Sequence, residues 1–477
     1  MSTMDWSKVK KEAPEWFRDV KFGLFFHWGP YSVPMYHDEW YSRRMYEKGT
    51  DYYRHHQETY GTVHDFGYKD FYPMMKGEKF DPEEWAELVI KSGAGYAGPV
   101  SEHADNFAMW DSRVNPVNSV NYGPGRDVVG ECFRAFRRKG IRTLATFHHQ
   151  WLWGWFMSSD VEADVYLPGN DKYYGPVVPL EANRANPYCR PDRRFCENWS
   201  DKVIEVIDKY DPDVVYFDSR AVIIGEEYRF LVPDYYYNKK GKRDGIITYK
   251  WADFPEGTGV FDIECGRFTK PQPFPWQVDD HLEDHPTTWS MLEHPKYKSA
   301  GYVIRQLCDI VAKNGNLLLN VGPYADGSFH PDAVKTLEEI GEWLALNGEA
   351  IYGTRPFIIA AEGDATFSGG EYDAAKLGEV VDIGQEIDRS GADLRKNEFR
   401  FTVGKDALYA IAMGWPVNGE FCIRSLGENG IYTKPVKAVS MPGCKETLSF
   451  YTDAQGLHVK APGMRPCRHA YVLKING

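Results

Sequence analysis

Strands and helices alternate along the first 350 residues, and this alternation is the feature that most restricts the fold. Apolar periodicity and cap signals predict helices at 81–93, 126–139, 197–210, 300–313 and 331–346. Runs rich in β-branched and aromatic residues predict strands at 20–28, 95–100, 141–147, 211–218, 246–250, 261–265 and 316–322. Strands that alternate with helices form parallel βαβ units. About eight such strands in roughly 350 residues favour a (β/α)8-like barrel over an open sheet.

The pattern changes after residue 352. Short alternating runs at 398–403, 408–413 and 448–451 are separated by turn signals at Asn418-Gly419, Asn429-Gly430 and Gly456. This pattern is typical of an antiparallel β-sandwich. A chain of 477 residues also exceeds the usual size of one core. We therefore expect two domains, a catalytic barrel over 1–352 and a C-terminal β-sandwich over 353–477.

Composition argues against several classes of protein. A net charge of −13 argues against nucleic acid or an anionic membrane as partner, because both are bound by basic surfaces. The eight cysteines form no CxxC pair and no zinc-finger spacing, and Cys189 with Cys196 is the only close pair. No apolar run is long enough to span a membrane. The sequence leaves the cellular compartment open: the protein is periplasmic or secreted if an export signal was removed, and cytoplasmic otherwise. The sequence also leaves the oligomeric state open.

The stretch from Asp211 to Asp218 places an acid at the end of a buried strand. Pro212 suits the beginning of a strand because it cannot donate to a sheet ladder. Side chains alternate across a strand, so Val214, Tyr216 and Asp218 share one face. Catalytic groups collect at this carboxyl end in parallel α/β architectures. An Asp in this place can also simply cap the next turn, so its neighbours must decide between the two interpretations.

Several other predicted strands also end in a histidine or an acid. With Asp218, these residues are His27, Glu102, His103, Asp105, His148, His149, Asp262 and Glu264. A single histidine of this kind is usually a core residue bonded to a backbone carbonyl. Many of them at one end of a barrel instead predict a polar pocket that excludes water.

Three kinds of hydrolase could use such a pocket. A metal-dependent hydrolase could take its ligands from His103, Asp105, His148 and His149, although the sequence has no HExxH motif. A serine hydrolase would need a GxSxG nucleophile elbow, which the sequence lacks. A glycosidase needs two carboxyl groups beside aromatic sugar platforms, and aromatic residues make up 15% of this chain.

For glycoside hydrolysis Asp218 is the natural nucleophile, and the partner acid must lie on another strand. Acids alternate with apolar residues over 261–265, so Asp262 and Glu264 face the same way, with Glu264 nearer the catalytic end. The alternative for Glu264 is a salt bridge with Arg267. Two carboxyl groups in one pocket separate in pKa, which leaves one ionised as nucleophile and one protonated as acid.

Several motifs resemble those of the α-L-fucosidases of glycoside hydrolase family 29. They are WFRDVKFGLFFHWGPYSVP at 16–34 followed by EWY at 39–41, FAMWDS at 107–112, NSVN at 118–121 with GRDVV at 125–129, GNLLLNVGP at 315–323, and GEWL at 341–344 with NGEAIY at 347–352. The resemblance covers the catalytic region. It implies an irregular (β/α)8 barrel with a β-sandwich, and exo-acting hydrolysis of terminal α-L-fucosides with retention of configuration and without metal or other cofactor.

The resemblance also implies roles for individual residues. In these enzymes the nucleophile is the Asp after the strand that here reads VVYF, which is Asp218, and Glu264 matches the acid/base of one group of relatives. The expected substrate is a fucosylated oligosaccharide or glycan. Its sugar-contacting positions correspond to His27, Glu39, Trp40, His103, His148, Tyr216, Arg267 and Trp289.

Two positions depart from the family pattern. Glu102 stands where many relatives carry a sugar-contacting histidine, so Glu102 is a further candidate contact and the identity of the sugar is in question. Gln277 follows Trp276 where other relatives have the acid/base glutamate, and an amide cannot donate and recover a proton. The alternative pattern around Glu264 accompanies, in the family, a preference for branched α-1,3/1,4-fucosides.

These departures keep two other functions open. The changed Glu102 position leaves room for an exo-glycosidase that acts on a related sugar, such as a galactoside. A fucose-binding protein without turnover would follow if Glu264 lay out of reach of the sugar.

Overall fold

The computed structural model describes residues 4–177, 190–250, 252–363, 398–432 and 434–477. Its first part is a closed barrel of eight parallel strands in sequence order, and β8 closes on β1 with Leu24 opposite Leu319. The strands are β1 Phe22–Phe26, β2 Tyr96–Glu102, β3 Arg142–Phe147, β4 Val214–Phe217, β5 Ile246–Lys250, β6 Val260–Glu264, β7 Trp276–His281 and β8 Gly315–Asn320. The predicted barrel is therefore confirmed.

Local sequence signals explain where the helices begin and end. In α4 the Asp81 side chain accepts a hydrogen bond from the amide of Glu83, and Gly93 ends the helix with φ of 84°, a conformation that glycine adopts without strain. The α-helices are α1 Glu15–Val20, α2 Tyr41–Arg44, α3 Asp51–Thr59, α4 Pro82–Ser92, α5 Val128–Arg138, α6 Asp171–Tyr174, α7 Arg193–Tyr210, α8 Glu226–Pro233, α9 Ala300–Ala312 and α10 Pro331–Asn347. A π-helical segment, Asp234–Lys239, follows α8.

Strand β7 is the barrel strand that sequence patterning missed. Its residues Gln277 and Asp279 point into the barrel, whereas Trp276 and Val278 pack in the outer core. An inner face of polar residues breaks the apolar run by which a buried strand is usually recognised. In the described residues no helix separates β5 from β6 or β6 from β7, so the usual strand–helix rhythm is also absent there.

The side chains of β4 alternate as the sequence predicts. Val214 and Tyr216 lie inside the barrel with Phe25 and Leu318, and the intervening residues of β4 pack outward against the helices. The alternation continues one residue past the strand. It turns Asp218 inward, at the carboxyl-terminal mouth of the barrel.

The C-terminal part consists of two antiparallel sheets. Their strands are β9 Arg355–Glu362, β10 Phe399–Val403, β11 Leu408–Ala412, β12 Glu420–Ile423, β13 Ala438–Ser440, β14 Phe450–Thr452, β15 Leu457–Lys460 and β16 Tyr471–Asn476. The five-stranded sheet has the order β13-β16-β11-β10-β9 and the three-stranded sheet has the order β12-β15-β14. Phe399 and Phe401 of the first sheet share one core with Phe421 and Leu457 of the second, which confirms the predicted β-sandwich.

The two parts meet through α9 and α10. Asp309 of α9 accepts a hydrogen bond of 2.6 Å from Arg400 Nε of β10, and Trp343 Nε1 of α10 donates to the carbonyl oxygen of Ala470. The predicted boundary at 352/353 falls in the link between a 3₁₀ turn, Gly348–Ala350, and β9.

Two smaller expectations concern cysteines and membranes. Cys189 of the close cysteine pair lies outside the described residues, and the described cysteines, Cys196 included, are free thiols. Among the described helices, none combines the length and the apolar character that a membrane crossing requires.

Candidate active site

The carboxyl ends of the barrel strands surround a pocket. It has about 420 Å³ of empty space including its open mouth. Most of its lining is polar or aromatic. The lining residues are His27, Glu39, Trp40, His103, His148, Trp151, Asp218, Ser219, Lys250, Glu264, Asp279 and Trp289.

Asp218 is held from two sides. Trp151 Nε1 donates a hydrogen bond of 2.9 Å to its Oδ2, and the Lys250 ammonium lies 3.3 Å from its Oδ1. Burial raises the pKa of Asp218 above its usual value, while Lys250 acts in the opposite direction. These two partners favour the ionised carboxylate that a nucleophile requires.

Glu264 ends the neighbouring strand β6 and reaches the same pocket. Lys250 Nζ donates to Glu264 Oε2 at 2.8 Å, so Asp218 and Glu264 share one cation. The separation of Asp218 Oδ1 and Glu264 Oε2 cannot exceed the sum of their two distances to this nitrogen, about 6 Å. The Glu264 side chain is 39% exposed and that of Asp218 is 16% exposed, so Glu264 lies nearer the mouth.

Two further acids, Asp279 and Asp262, form the floor of the pocket and the layer beneath it. Asp279 Oδ2 accepts from Lys250 Nζ at 2.9 Å and from the Tyr216 hydroxyl at 3.1 Å. Gln277 Nε2 donates to Asp262 Oδ2 at 2.7 Å. Burial and the adjacent Asp279 carboxylate raise the pKa of Asp262 well above its usual value. This shift favours the protonated form of Asp262 over the ionised one.

Three histidines from β1, β2 and β3 line the opposite side of the pocket. The ring centroids of His103 and His148 are 4.8 Å apart, and those of His27 and His148 are 5.2 Å apart. Burial lowers the pKa of His27 to about 3 and the pKa values of His103 and His148 well below their usual values. All three rings are therefore neutral at ordinary pH.

Asn320 sets the orientation of one of these rings. Its Oδ1 lies 2.7 Å from His27 Nδ1 and 3.1 Å from the His27 amide. An amide oxygen only accepts, so Nδ1 carries the proton and Nε2 presents a lone pair. The Nδ1 atoms of His103 and His148 are buried without a hydrogen-bond partner among the described residues.

Aromatic rings and a buried acid complete the pocket. Glu39 Oε2 accepts from the Trp289 amide at 2.9 Å, and burial raises the pKa of Glu39 well above its usual value. The Trp289 ring lies 5.5 Å from His27. Trp40 lies 5.5 Å from Trp151, so indole rings stand on two sides. A ring with one apolar face and several hydroxyls fits these surroundings.

Comparison with known proteins decides the family. A model of the α-L-fucosidase family matches residues 1–349, and a model of the α-L-fucosidase C-terminal domain matches residues 392–476. The chain belongs to the α-L-fucosidase family. It is a glycoside hydrolase with the function of an α-L-fucosidase.

Individual relatives agree with this assignment. The tissue α-L-fucosidase of Homo sapiens is 27% identical over the whole of this chain and 92% of its own length. A putative α-L-fucosidase of Caenorhabditis elegans is 30% identical over 75% of this chain and 70% of its own length. The Thermotoga maritima α-fucosidase in complex with a mechanism-based inhibitor is 26% identical, with a TM-score of 0.76 and 99% of each chain covered.

Three residues expected from the fucosidase pattern to contact sugar lie outside the pocket lining. Glu102 pairs with the Lys202 ammonium of α7, and both side chains are buried. Arg267 lies 3.7 Å from Asp309 at the contact with the C-terminal sheets, and Glu264 contacts Lys250 instead of the Arg267 that the salt-bridge alternative requires. Tyr216 lies one layer deeper and supports Asp279.

The four residues expected as ligands of a metal-dependent hydrolase do not all line the pocket of this fucosidase-like protein. Asp105 accepts from the Tyr68 hydroxyl at 2.6 Å, and His149 contacts the carbonyl oxygen of Trp199, both outside the pocket lining. The remaining candidate set is His27, His103 and His148, whose nitrogens lie within 4.8 Å of one another. Cys265, Asp280 and His281 form a second set. Its acid already pairs with a cation, because the Lys298 ammonium lies 2.9 Å from Asp280.

Four lining residues were missed by sequence reasoning. They are Trp151, Ser219, Lys250 and Asp279. Lys250 had a signal, since it ends a predicted strand as the other candidates do. Asp279 had none, because the strand that carries it was not recognised.

Proposed function

We propose that this chain hydrolyses terminal α-L-fucosides with retention of configuration, with Asp218 as nucleophile and Glu264 as acid/base. The observation that carries the proposal is the shared contact with Lys250, which keeps Asp218 Oδ1 and Glu264 Oε2 no more than about 6 Å apart. Retaining glycosidases keep this separation near 5–5.5 Å, whereas inverting enzymes need about 6.5–9.5 Å to admit a water molecule.

The first step forms a fucosyl ester. An oxygen of the Asp218 carboxylate bonds to the anomeric carbon as the bond to the leaving oxygen breaks, and that oxygen takes the proton of Glu264. Glu264 Oε2 faces Lys250, so Oε1 is the oxygen that delivers the proton. In the second step Glu264 accepts a proton from water, which attacks the same carbon and releases Asp218.

Recognition of the sugar falls to the opposite side of the pocket. Neutral imidazoles can donate and accept hydrogen bonds with hydroxyls without the desolvation cost of a charge. His27, His103 and His148 supply such groups, and the Trp289 ring supports an apolar sugar face. The Thermotoga maritima relative, 26% identical to this chain, was crystallised in complex with fucose, which supports fucose as the sugar.

The substrate preference follows from the position of the acid. The proposal includes a preference for α-1,3/1,4-linked fucosides, because the carboxyl stands at Glu264 while the Gln277 position holds an amide that is bonded to Tyr96 and Asp262. Glu102, the residue that raised the galactoside alternative, pairs with Lys202 instead of lining the pocket. The position of Glu102 therefore gives no support to the alternative of a galactoside-cleaving enzyme.

A panel of defined oligosaccharides tests the proposal. Fucosylated glycans with α-1,2, α-1,3, α-1,4 and α-1,6 linkages, and matched galactosides, are incubated with the protein, and the first product is resolved by NMR. We expect α-L-fucose to appear first, from α-1,3/1,4 substrates fastest. Initial β-L-fucose would refute retention, equal rates on all linkages would refute the preference, and cleavage of galactosides alone would refute the sugar.

A further inference from the structure

Lys250 contacts three carboxyl groups with one ammonium. Its nitrogen lies 2.8 Å from Glu264, 2.9 Å from Asp279 and 3.3 Å from Asp218, and its side chain is 1% exposed. An ammonium has three N–H donors, so the three contacts use its whole donor capacity. The exposure of the partners rises from 3% for Asp279 to 16% for Asp218 and 39% for Glu264.

The deepest of these contacts holds the lysine in place. Asp279 also accepts from the Tyr216 hydroxyl, and burial together with the Asp279 carboxylate raises the pKa of Asp262. Asp279 Oδ1 and Asp262 Oδ1 have no donor from any other described residue, so a proton between these two carboxyls satisfies both. Asp279 therefore holds the ammonium from its deepest side, while Asp218 and Glu264 contact it from the side of the pocket.

We propose that Lys250 is a positioning residue that acts as a fixed counter-charge for the negative charge that the reaction moves between Asp218 and Glu264. This inference rests on the proposed function. Before the first step the charge is on Asp218 and Glu264 holds a proton. After it Asp218 is a neutral ester, and Glu264, having given its proton to the leaving oxygen, is the anion.

The geometry lets Lys250 stabilise both ends of this transfer without moving. The ammonium already contacts Asp218 Oδ1 and Glu264 Oε2 in the free protein. Charge stabilisation by a group that needs no reorganisation is worth more than the same contact made in water. The second step returns the charge to Asp218 as water supplies a proton to Glu264, and the same two contacts serve again.

Other charged groups near Asp218 are arranged differently from Lys250. Arg220 Nη1 donates to the carbonyl oxygens of Trp151 and Trp153, and Asp253 accepts from the amide of Val222. The other titratable residues that line the pocket with Asp218 are Lys250 of β5, Glu264 of β6, Asp279 of β7, Glu39, and the neutral histidines His27, His103 and His148. Removal of the Lys250 ammonium therefore takes a positive charge away from a buried carboxylate, which raises the pKa of Asp218.

The test compares the Lys250→Met and Lys250→Arg variants with wild type on a fucoside that the wild type cleaves. For Lys250→Met we expect kcat/KM to fall about 10²- to 10³-fold. In the plot of kcat/KM against pH, the acidic limb should move to higher pH by about one unit or more, because the pKa of Asp218 rises. Lys250→Arg, which keeps the charge, should recover much of the rate and the wild-type limb. Loss of rate with an unmoved acidic limb, or no recovery by arginine, would overturn the inference.

Lys202→Met is the matched control. Lys202 is a second buried lysine that pairs with a carboxylate, that of Glu102, outside the pocket. Its loss should lower stability without moving the acidic limb of the plot of kcat/KM against pH.

A further comparison uses the Glu264→Gln background, in which the charge cannot move to residue 264. There Lys250→Met should cost clearly less than in wild type, and equal costs would refute the shared role. A wild-type protein that cleaves no fucoside would refute the proposed function instead.

Discussion

The two sides of the pocket differ in charge. The side built by β1 to β3 carries three neutral imidazoles, His27, His103 and His148. The side built by β4 to β7 carries an ammonium and its carboxyl partners, centred on Lys250. Neutral donors and acceptors hold hydroxyls in the same way over a wide pH range, while charged groups couple the reaction to proton transfer. The comparison separates a binding side from a reacting side within one cavity.

The largest expected effect lies on the charged side. Asp218→Ala removes the nucleophile and should lower kcat by about 10⁴-fold or more, while fucose still binds to the neutral side. Steady-state rates and calorimetric fucose binding measure the two effects. Azide, which can attack in place of the carboxylate, should restore turnover and give the azide of opposite configuration. Simultaneous loss of fucose binding would show that the two sides are not separable.

Glu264 should show an effect that depends on the leaving group. Glu264→Gln should lower the rate on natural oligosaccharides by about 10²- to 10⁴-fold. Aryl fucosides with acidic phenols need little protonation, so their fucosylation step should be nearly unaffected, as a pre-steady-state burst would report. A near wild-type rate on an oligosaccharide would transfer the acid role to another carboxyl group.

On the neutral side a smaller effect on binding is expected. Asn320→Leu removes the acceptor of His27 Nδ1, which frees the ring to rotate and leaves a buried donor unpaired. A sugar hydroxyl that is buried without its His27 partner costs about 1–3 kcal/mol, so KM should rise about 5- to 150-fold with a smaller change in kcat. A fall in kcat at constant KM would place His27 on the reacting side.

The neutral imidazoles should also make stability depend on pH. The pKa of His27 is about 3 in the folded protein and about 6.5 when unfolded. The unfolded chain therefore binds more protons between these values, so His27 destabilises the fold increasingly as pH falls from 6.5 towards 3, by up to about 1.4 kcal/mol per pH unit. Denaturant unfolding at pH 5 and pH 7 should show a smaller difference for His27→Asn than for wild type. An equal difference between the two pH values for His27→Asn and for wild type would contradict this prediction.

The smallest effect on activity is expected at Glu102. Glu102→Gln should leave KM and kcat nearly unchanged, because the side chain pairs with Lys202 outside the pocket lining. Loss of one partner of a buried pair should instead lower the free energy of unfolding by about 3–5 kcal/mol. A large change in sugar preference would return Glu102 to the binding side.

Sequence periodicity was sufficient for most of the barrel. Strands β1 to β6 and β8 lie where apolar runs predict them, because those runs fill the barrel interior or pack against helices. Strand β7 was not predicted, because its inner face carries the polar groups of the pocket floor instead of an apolar run. Likewise, most of the neutral side was foreseen from histidines at strand ends, whereas Lys250 and Asp279 were missed on the charged side.

By itself the sequence determined the fold class, the family resemblance and the candidate pair Asp218 and Glu264. These follow from local patterns and motifs that the chain carries in any conformation. Only the tertiary structure decided that Glu102 and Arg267 find their partners outside the pocket lining and that one lysine joins three strands. The physical reason is that ion pairs form between residues far apart in the chain, and closure of the barrel sets which charges meet.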